Sequence, residues 1–281
     1  MLQETPFRIE AQDGWPIRGD VRWGRDTGPT VVIAHGFKGF KDWGHFPLVA
    51  RRLAEAGYRV VSFNFSGSGI GEQPTEFTEL DRFRGNTFSR EVDDLERVLA
   101  AAADGTLPGP REAGAIGLLG HSRGAIATTV AASKRPGRAA LVVWAGVGVL
   151  RSRYPDDVRR EWREAGELPV VNTRTGQSMP IGLEALDDLE RHLDDYSPDR
   201  LAGDLSVPHL LIHGDADAGV PIDESREVAR RSGGHARLIA MPGANHTFGS
   251  THPFNGESAD LRRVLEHTTS FFDESLRAGR A

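Results

Sequence analysis

The sequence predicts an α/β fold built on a mainly parallel sheet with helices on both faces. Three observations carry this. Short apolar runs rich in β-branched residues recur along the chain. Amphipathic stretches with helical spacing separate them. The runs are too apolar to keep a solvent face, so they belong to strands covered on both sides.

The elements follow in order. Phe7–Ala11 and Ile17–Trp23 alternate around a turn at Asp13-Gly14 and read as an antiparallel hairpin at the sheet edge. Thr30–Ala34 is a short, fully apolar run, hence a buried strand. Phe46–Ala56 reads as a helix stopped by Gly57. Arg59–Phe65 is the next strand. Arg90–Ala103 is helical, with Val92, Leu95, Val98, Leu99 and Ala102 on one side. Strands follow at Ala115–Leu119, Ala139–Trp144, Val207–His213 and Ala236–Met241, with helices at Asp223–Arg231 and Ser258–Leu276.

One region breaks this rhythm. About sixty residues separate Trp144 from Val207, too many for a plain connection. Asp156–Glu164 reads as a charged helix. Val170–Asn172 and Gln177–Ile181 read as a hairpin with its turn at Thr173–Gly176, and a second helix covers Leu183–Leu193. The expected organisation is a core of residues 1–146 and 204–281, with residues 147–203 inserted as a cap over the carboxyl ends of the strands, where such sheets place their sites.

Composition narrows the function. The chain has 281 residues, enough for a sizeable core, and 38% of them are hydrophobic. Its net charge of −6 argues against nucleic acid or an anionic membrane as partner. Cysteine is absent, which excludes disulfides and thiolate catalysis. The N-terminus lacks a basic, then apolar, leader, and no apolar run approaches the length of a membrane span. The expectation is a cytoplasmic protein without metal or cofactor. None of the ten histidines lies in an H-E-x-x-H pattern.

Chemistry enters at Gly120-His121-Ser122-Arg123-Gly124. It follows the apolar run ending at Leu119 and precedes the small-residue stretch Ala125–Ala132. A strand, then G-x-S-x-G, then a helix is the setting of a nucleophile elbow. The turn is too sharp for side chains beside the serine, and the helix N-terminus below it favours developing negative charge. A serine needs a base, and the base an orienting acid. Two other strand ends supply candidates: Gly214–Pro221 with Asp215 and Asp217, and Pro242–Phe248 with His246.

On these residues the chain resembles an α/β-hydrolase over essentially its whole length. It is most similar to bacterial esterases of the cinnamoyl/feruloyl-esterase and serine-aminopeptidase-like branch. The matching pieces are His35-Gly36-Phe37, Gly120–Gly124, Gly214–Pro221 and Gly243–His246. The resemblance implies an eight-stranded sheet with an N-terminal antiparallel hairpin, Ser122 as nucleophile and His246 as base. It assigns the acid to Asp217, three residues before Val220-Pro221, with Asp215 as competitor. The oxyanion donors would be the backbone N–H groups of Phe37 and Arg123. The family's D-x-R-G-x-G-x-S pattern is replaced here by Asn64-Phe65-Ser66-Gly67-Ser68-Gly69, which bears on loop shape.

Competing readings weaken on inspection. His267 falls in a surface helix and His252 lies further from the strand end than His246. His35 suits a brace for the oxyanion loop, and His121 suits packing. Gly67–Gly71 lacks dinucleotide-site spacing, and Asp215-x-Asp217-x-Gly219 misplaces the glycine of a calcium loop. Trp144, Trp162 and Met179 are candidates for lining a substrate pocket. The resemblance implies cleavage of small acyl or aryl esters, hydroxycinnamoyl esters included, through an acyl-enzyme. Its rivals are amide cleavage on the same triad, cofactor-free perhydrolysis or haloperoxidation, and a binding module with a decayed site. The insertion also offers a surface for a homodimer.

Overall fold

The computed structural model describes residues 1–110, 114–172 and 174–277. In chain order they form β1 (Gln3–Glu10), β2 (Pro16–Trp23), β3 (Thr30–Ala34), α1 (Phe46–Glu55), β4 (Arg59–Asn64), α2 (Leu80–Arg84) and α3 (Phe88–Asp104). Then come β5 (Ile116–His121), α4 (Gly124–Ser133), β6 (Ala139–Trp144), α5 (Leu150–Arg153), α6 (Asp156–Ala165), β7 (Glu167–Leu168), β8 (Ile181–Gly182), α7 (Leu183–His192) and α8 (Pro198–Leu201). The chain ends with β9 (His209–Gly214), α9 (Ile222–Arg231), β10 (Ala236–Met241) and α10 (Ala259–Arg277).

Eight strands form one sheet in the order β1-β2-β4-β3-β5-β6-β9-β10. The pairs from β4 to β10 are parallel, while β1–β2 and β2–β4 are antiparallel. Alternation along each strand divides the core in two. Val32, Val61, Leu118, Leu141 and Leu211 pack with α3, α4 and α9 on one face. Val31, Val60, Leu119, Val142 and Leu210 pack with α1 and α10 on the other. Of the six strands on the parallel side, β3, β4, β5, β6 and β9 are buried and β10, at the sheet edge, is not, which is why the buried ones are dominated by apolar residues.

Some boundaries differ from the sequence expectation. β1 begins at Gln3, four residues before the expected start. It is a half-exposed edge strand whose outward residues are polar, so no apolar run marks its beginning. Pro6 is tolerated there because an edge strand can spare a donor. The short helices α2, α5 and α8 carry no periodic signal of their own.

Between β6 and β9 the chain leaves the sheet. β7 and β8 pair antiparallel, and the Val171–Ser178 bridge extends the ribbon toward a tip. Thr173, part of the expected turn, lies outside the described residues. Trp162, Met179, Ile181, Leu186 and Leu189 pack into one apolar cluster with Phe40, Phe77, Phe83 and Phe88 of the core. On α7, Asp188 accepts from the N–H of Ser89 on α3 at 2.9 Å.

Candidate active site

Ser122, Asp217 and His246 each sit just past the carboxyl end of a parallel strand. Ser122 follows β5 with φ +56°, left-handed backbone that costs a serine about 1–2 kcal/mol. Packing over-determines it. Its N–H donates to Trp144 O at 2.9 Å, and its carbonyl accepts from Ala125 and Val147 at 3.1 and 3.0 Å. The flanking glycines are forced by contact. A Cβ on Gly120 would lie 2.3 Å from Thr128 Oγ1, and one on Gly124 would lie 2.5 Å from Ala34 O. Gly36 is as constrained, since a Cβ there would lie 2.7 Å from Ser122 Cβ.

The three side chains meet. His246 Nε2 is 3.0 Å from Ser122 Oγ, and His246 Nδ1 is 2.7 Å from Asp217 Oδ2. A carboxylate can only accept, so the imidazole proton sits on Nδ1 and Nε2 faces the serine hydroxyl as acceptor. The Asp217 side chain is fully buried, whereas that of His246 is 28% exposed. Burial works against a charged Asp217, but its donors outweigh this. His213, His246 and the Val220 N–H hold the carboxyl well below the usual carboxylate range. Its other oxygen accepts from the N–H groups of Gly219 and Val220 at 2.7 and 2.9 Å. Asp215 is exposed and accepts instead from Gly243 N–H at 2.6 Å, holding the two loops together.

Two supporting residues were not among the sequence candidates. His213, the fifth residue of β9, is buried with Nε2 at 3.1 Å from Asp217 Oδ2 and 2.9 Å from Val220 O. Two acceptors on Nε2 fix a proton there, and Nδ1 meets Ser225 Oγ at 2.7 Å. A histidine immediately before Gly214-Asp215 was the available clue. Glu91 on α3 pairs with the buried guanidinium of Arg123 at 3.0 Å, and Asn86 donates to its other oxygen at 2.7 Å. Arg123 also lies over the Phe88 ring at 4.1 Å. The side chain thus anchors the backbone that follows the serine.

The remaining histidines near the site brace it. His35 Nε2 accepts from Phe65 N–H at 3.3 Å and Nδ1 donates to Gly36 O at 2.9 Å. Burial pushes its pKa down to about 4, so it stays neutral. His121 does more than pack: its Nε2 donates to the carbonyl of His246 at 3.0 Å. Burial and the neighbouring His246 hold its pKa well below the usual value. Neither the Phe37 nor the Arg123 N–H meets an acceptor among the described residues.

A cavity of about 500 Å³ opens over Ser122 and His246. Phe37, Phe40, Trp43, Phe46 and Phe77 supply its aromatic wall, and Lys38, Arg174 and His252 its basic groups. Trp144, Trp162 and Met179 do not line it. Trp144 is fully buried beneath the site and donates to Thr268 Oγ1 at 2.9 Å. Trp162 and Met179 are buried behind Phe40 and Phe77 in the same apolar cluster, with Trp162 Nε1 donating to Ile181 O at 3.2 Å. Apolarity marked these three for burial; it did not say on which side of the wall.

Comparison with known proteins agrees with this architecture. The model of the alpha/beta hydrolase family matches residues 31–257. The uncharacterized peptidase YuxL of Bacillus subtilis is 24% identical over 94% of this chain; the chain spans 37% of that relative's length. A monoacylglycerol lipase of Mycolicibacterium smegmatis is 26% identical, with 90% of this chain and 92% of the lipase covered. Among solved structures, Est1E of Butyrivibrio proteoclasticus superposes with a TM-score of 0.68 at 17% identity, covering 96% of this chain and 98% of its own. At that identity the likeness is one of fold. Among the described residues no helix is long and apolar enough to cross a membrane.

Proposed function

The chain belongs to the alpha/beta hydrolase family, and from that premise we propose that it is a serine hydrolase of carboxylic esters. The observation that carries this reading is the unbroken series Asp217–His246–Ser122 at the floor of an aromatic cavity. Ser122 Oγ attacks the ester carbon while His246 Nε2 takes its proton. Asp217, kept ionised by its donors, holds the imidazole in the required tautomer and stabilises the cation that forms. The free N–H groups of Phe37 and Arg123 receive the oxyanion, each lowering the barrier by about 3 kcal/mol. His246 then returns the proton to the departing alkoxide. Water attacks the acyl-enzyme by the same path in reverse.

Small acyl and aryl esters, hydroxycinnamoyl esters among them, suit the size and aromatic wall of the cavity. Est1E, the similar fold described above, has been solved with ferulic acid bound. Amide cleavage on the same residues is the second reading, favoured by the likeness to a peptidase. The test is labelling with a fluorophosphonate probe beside turnover of aryl esters and aminoacyl arylamides. Labelled Ser122 with faster ester turnover is expected. An unlabelled Ser122 without turnover of either class would end the proposal, and faster arylamide turnover would establish the second reading.

A further inference from the structure

The wall of the cavity above Ser122 carries two cations, Lys38 and Arg174, beside the neutral rings of His121, His246 and His252, and no carboxylate lines it among the described residues. The chain as a whole carries −6, so this cavity runs against the balance of the molecule. The two cations come from separate places. Lys38 directly follows Phe37 on the loop after β3, with φ +55°. Arg174 stands at the tip of the inserted hairpin, where its N–H is held by Asn172 Oδ1 at 3.2 Å.

Neither cation is neutralised. Lys38 Nζ gives one hydrogen to Val171 O at 3.1 Å, leaving two of its three donors. The Arg174 guanidinium is exposed and meets no acceptor or acid among the described residues. Arg151 and Arg163 of the same insertion pair with Asp194 and with Asp187 and Glu190, whereas Arg174, like Arg160 and Arg191, has no ion pair among the described residues and alone of these three lines the cavity. Beside Arg174, His252 Nδ1 accepts from Gly44 N–H at 3.1 Å, which leaves the proton of the neutral ring on Nε2. That ring stacks on Trp43 and meets Phe40 edge-on, with centroids 6.2 and 5.0 Å apart. Burial and the Arg174 charge press His252 toward its neutral form, outweighing the opposite pull of Asp42, which lies outside the cavity lining and is paired with Lys41.

A guanidinium fork and an ammonium lining the same cavity as an aromatic wall are the groups that recognise a carboxylate on a flat apolar body. Resting on the esterase reading above, we propose that the cavity selects aromatic esters bearing a distal carboxylate. Arg174 and Lys38 hold the carboxylate while the ester carbonyl lies at Ser122.

The test uses rigid matched pairs in which the carboxylate cannot reach its own ester. Mono-4-nitrophenyl terephthalate against 4-nitrophenyl 4-methylbenzoate places the charge on the acyl side. 4-Acetoxybenzoate against 4-methylphenyl acetate places it on the alcohol side. In at least one pair the anionic member should have the higher kcat/KM at low salt, and the preference should shrink as ionic strength rises. Arg174→Gln should lower the anionic-to-neutral ratio about tenfold. Arg174→Glu should invert it. Neutral members preferred in both pairs, or a ratio unmoved by salt and by both variants, would overturn the proposal. In that case the neutral esters still report on Ser122, so failure of this inference and failure of the esterase reading remain distinct.

Discussion

Two regions meet at the cavity and they are built differently. The loops at the carboxyl ends of β5, β9 and β10 are densely hydrogen-bonded, the Arg123 N–H apart. Asp217 alone accepts from two histidines and two backbone N–H groups. The inserted hairpin that faces them is held near its tip by long side chains reaching backbone carbonyls, Lys38 to Val171 and Gln177 to Phe77. Its Val171 is 52% exposed. The densely bonded side has one geometry available to it, whereas the hairpin can vary in sequence without disturbing that geometry. The expected division is that reaction chemistry resides in the first region and choice of substrate in the second.

The largest effects should come from the densely bonded side. Ser122→Ala should lower kcat by on the order of 10⁴ to 10⁶ without shifting the thermal melt downward. Strong residual turnover in a purified preparation would break the comparison at once. Asp217→Asn should cost on the order of 10⁴ through the wrong imidazole tautomer, while Asp215→Asn should cost only a few-fold. A larger loss at Asp215 than at Asp217 would return the acid assignment to Asp215.

In the insertion, loss should appear as stability. Met179→Ala removes a fully buried side chain and should lower unfolding free energy by about 2–5 kcal/mol in urea, with kcat nearly retained. A large fall in kcat with an unchanged melt would contradict the division.

His213 sharpens the first region further. His213→Leu removes a donor to a charged oxygen, worth about 1.5–3 kcal/mol, and should reduce kcat/KM by about ten- to a hundredfold. Asp217, relieved of one donor, then holds the protonated imidazole more strongly. The acid limb of the pH profile should therefore move to higher pH. A profile that keeps its shape would make His213 a packing residue only.

The smallest effect is on pH dependence of stability. Burial pushes Asp94 up to about 7, against the two hydrogen bonds it accepts from Ser66. The folded chain keeps this proton where an unfolded aspartate, with a pKa of about 4, has released it. Stability should therefore fall as pH rises across that window and level off above it. Asp94→Asn should flatten the trend in melts taken from pH 4 to 8. An unaltered slope would place its origin elsewhere.

The same division explains what could be read from the chain. Val31–Ile33, Leu118–Leu119 and Leu210–Ile212 are buried on both faces, so composition alone marks them as strands. Ser122 and Asp217 each lie within a few residues of such a strand and were legible for that reason, while His246 follows the partly exposed edge strand β10 and was legible from the loop sequence after it. The cavity wall was not, because Phe40, Phe77, Arg174 and His252 come from four separate loops that no local pattern links. Glu91 was hidden in the periodicity of α3, where a charged residue looks like solvent-facing surface until Arg123 is placed beside it.

The insertion leaves the sheet after β6 and returns at β9, and those two strands are hydrogen-bonded neighbours. Its entry and exit therefore stand side by side on the scaffold. A segment mounted in this way can be exchanged for one of another length without rethreading a single strand. A chimera carrying a foreign segment between Val149 and Val207, which leaves the Val147 N–H on the Ser122 carbonyl, should keep the geometry around Ser122 and acquire a new clientele.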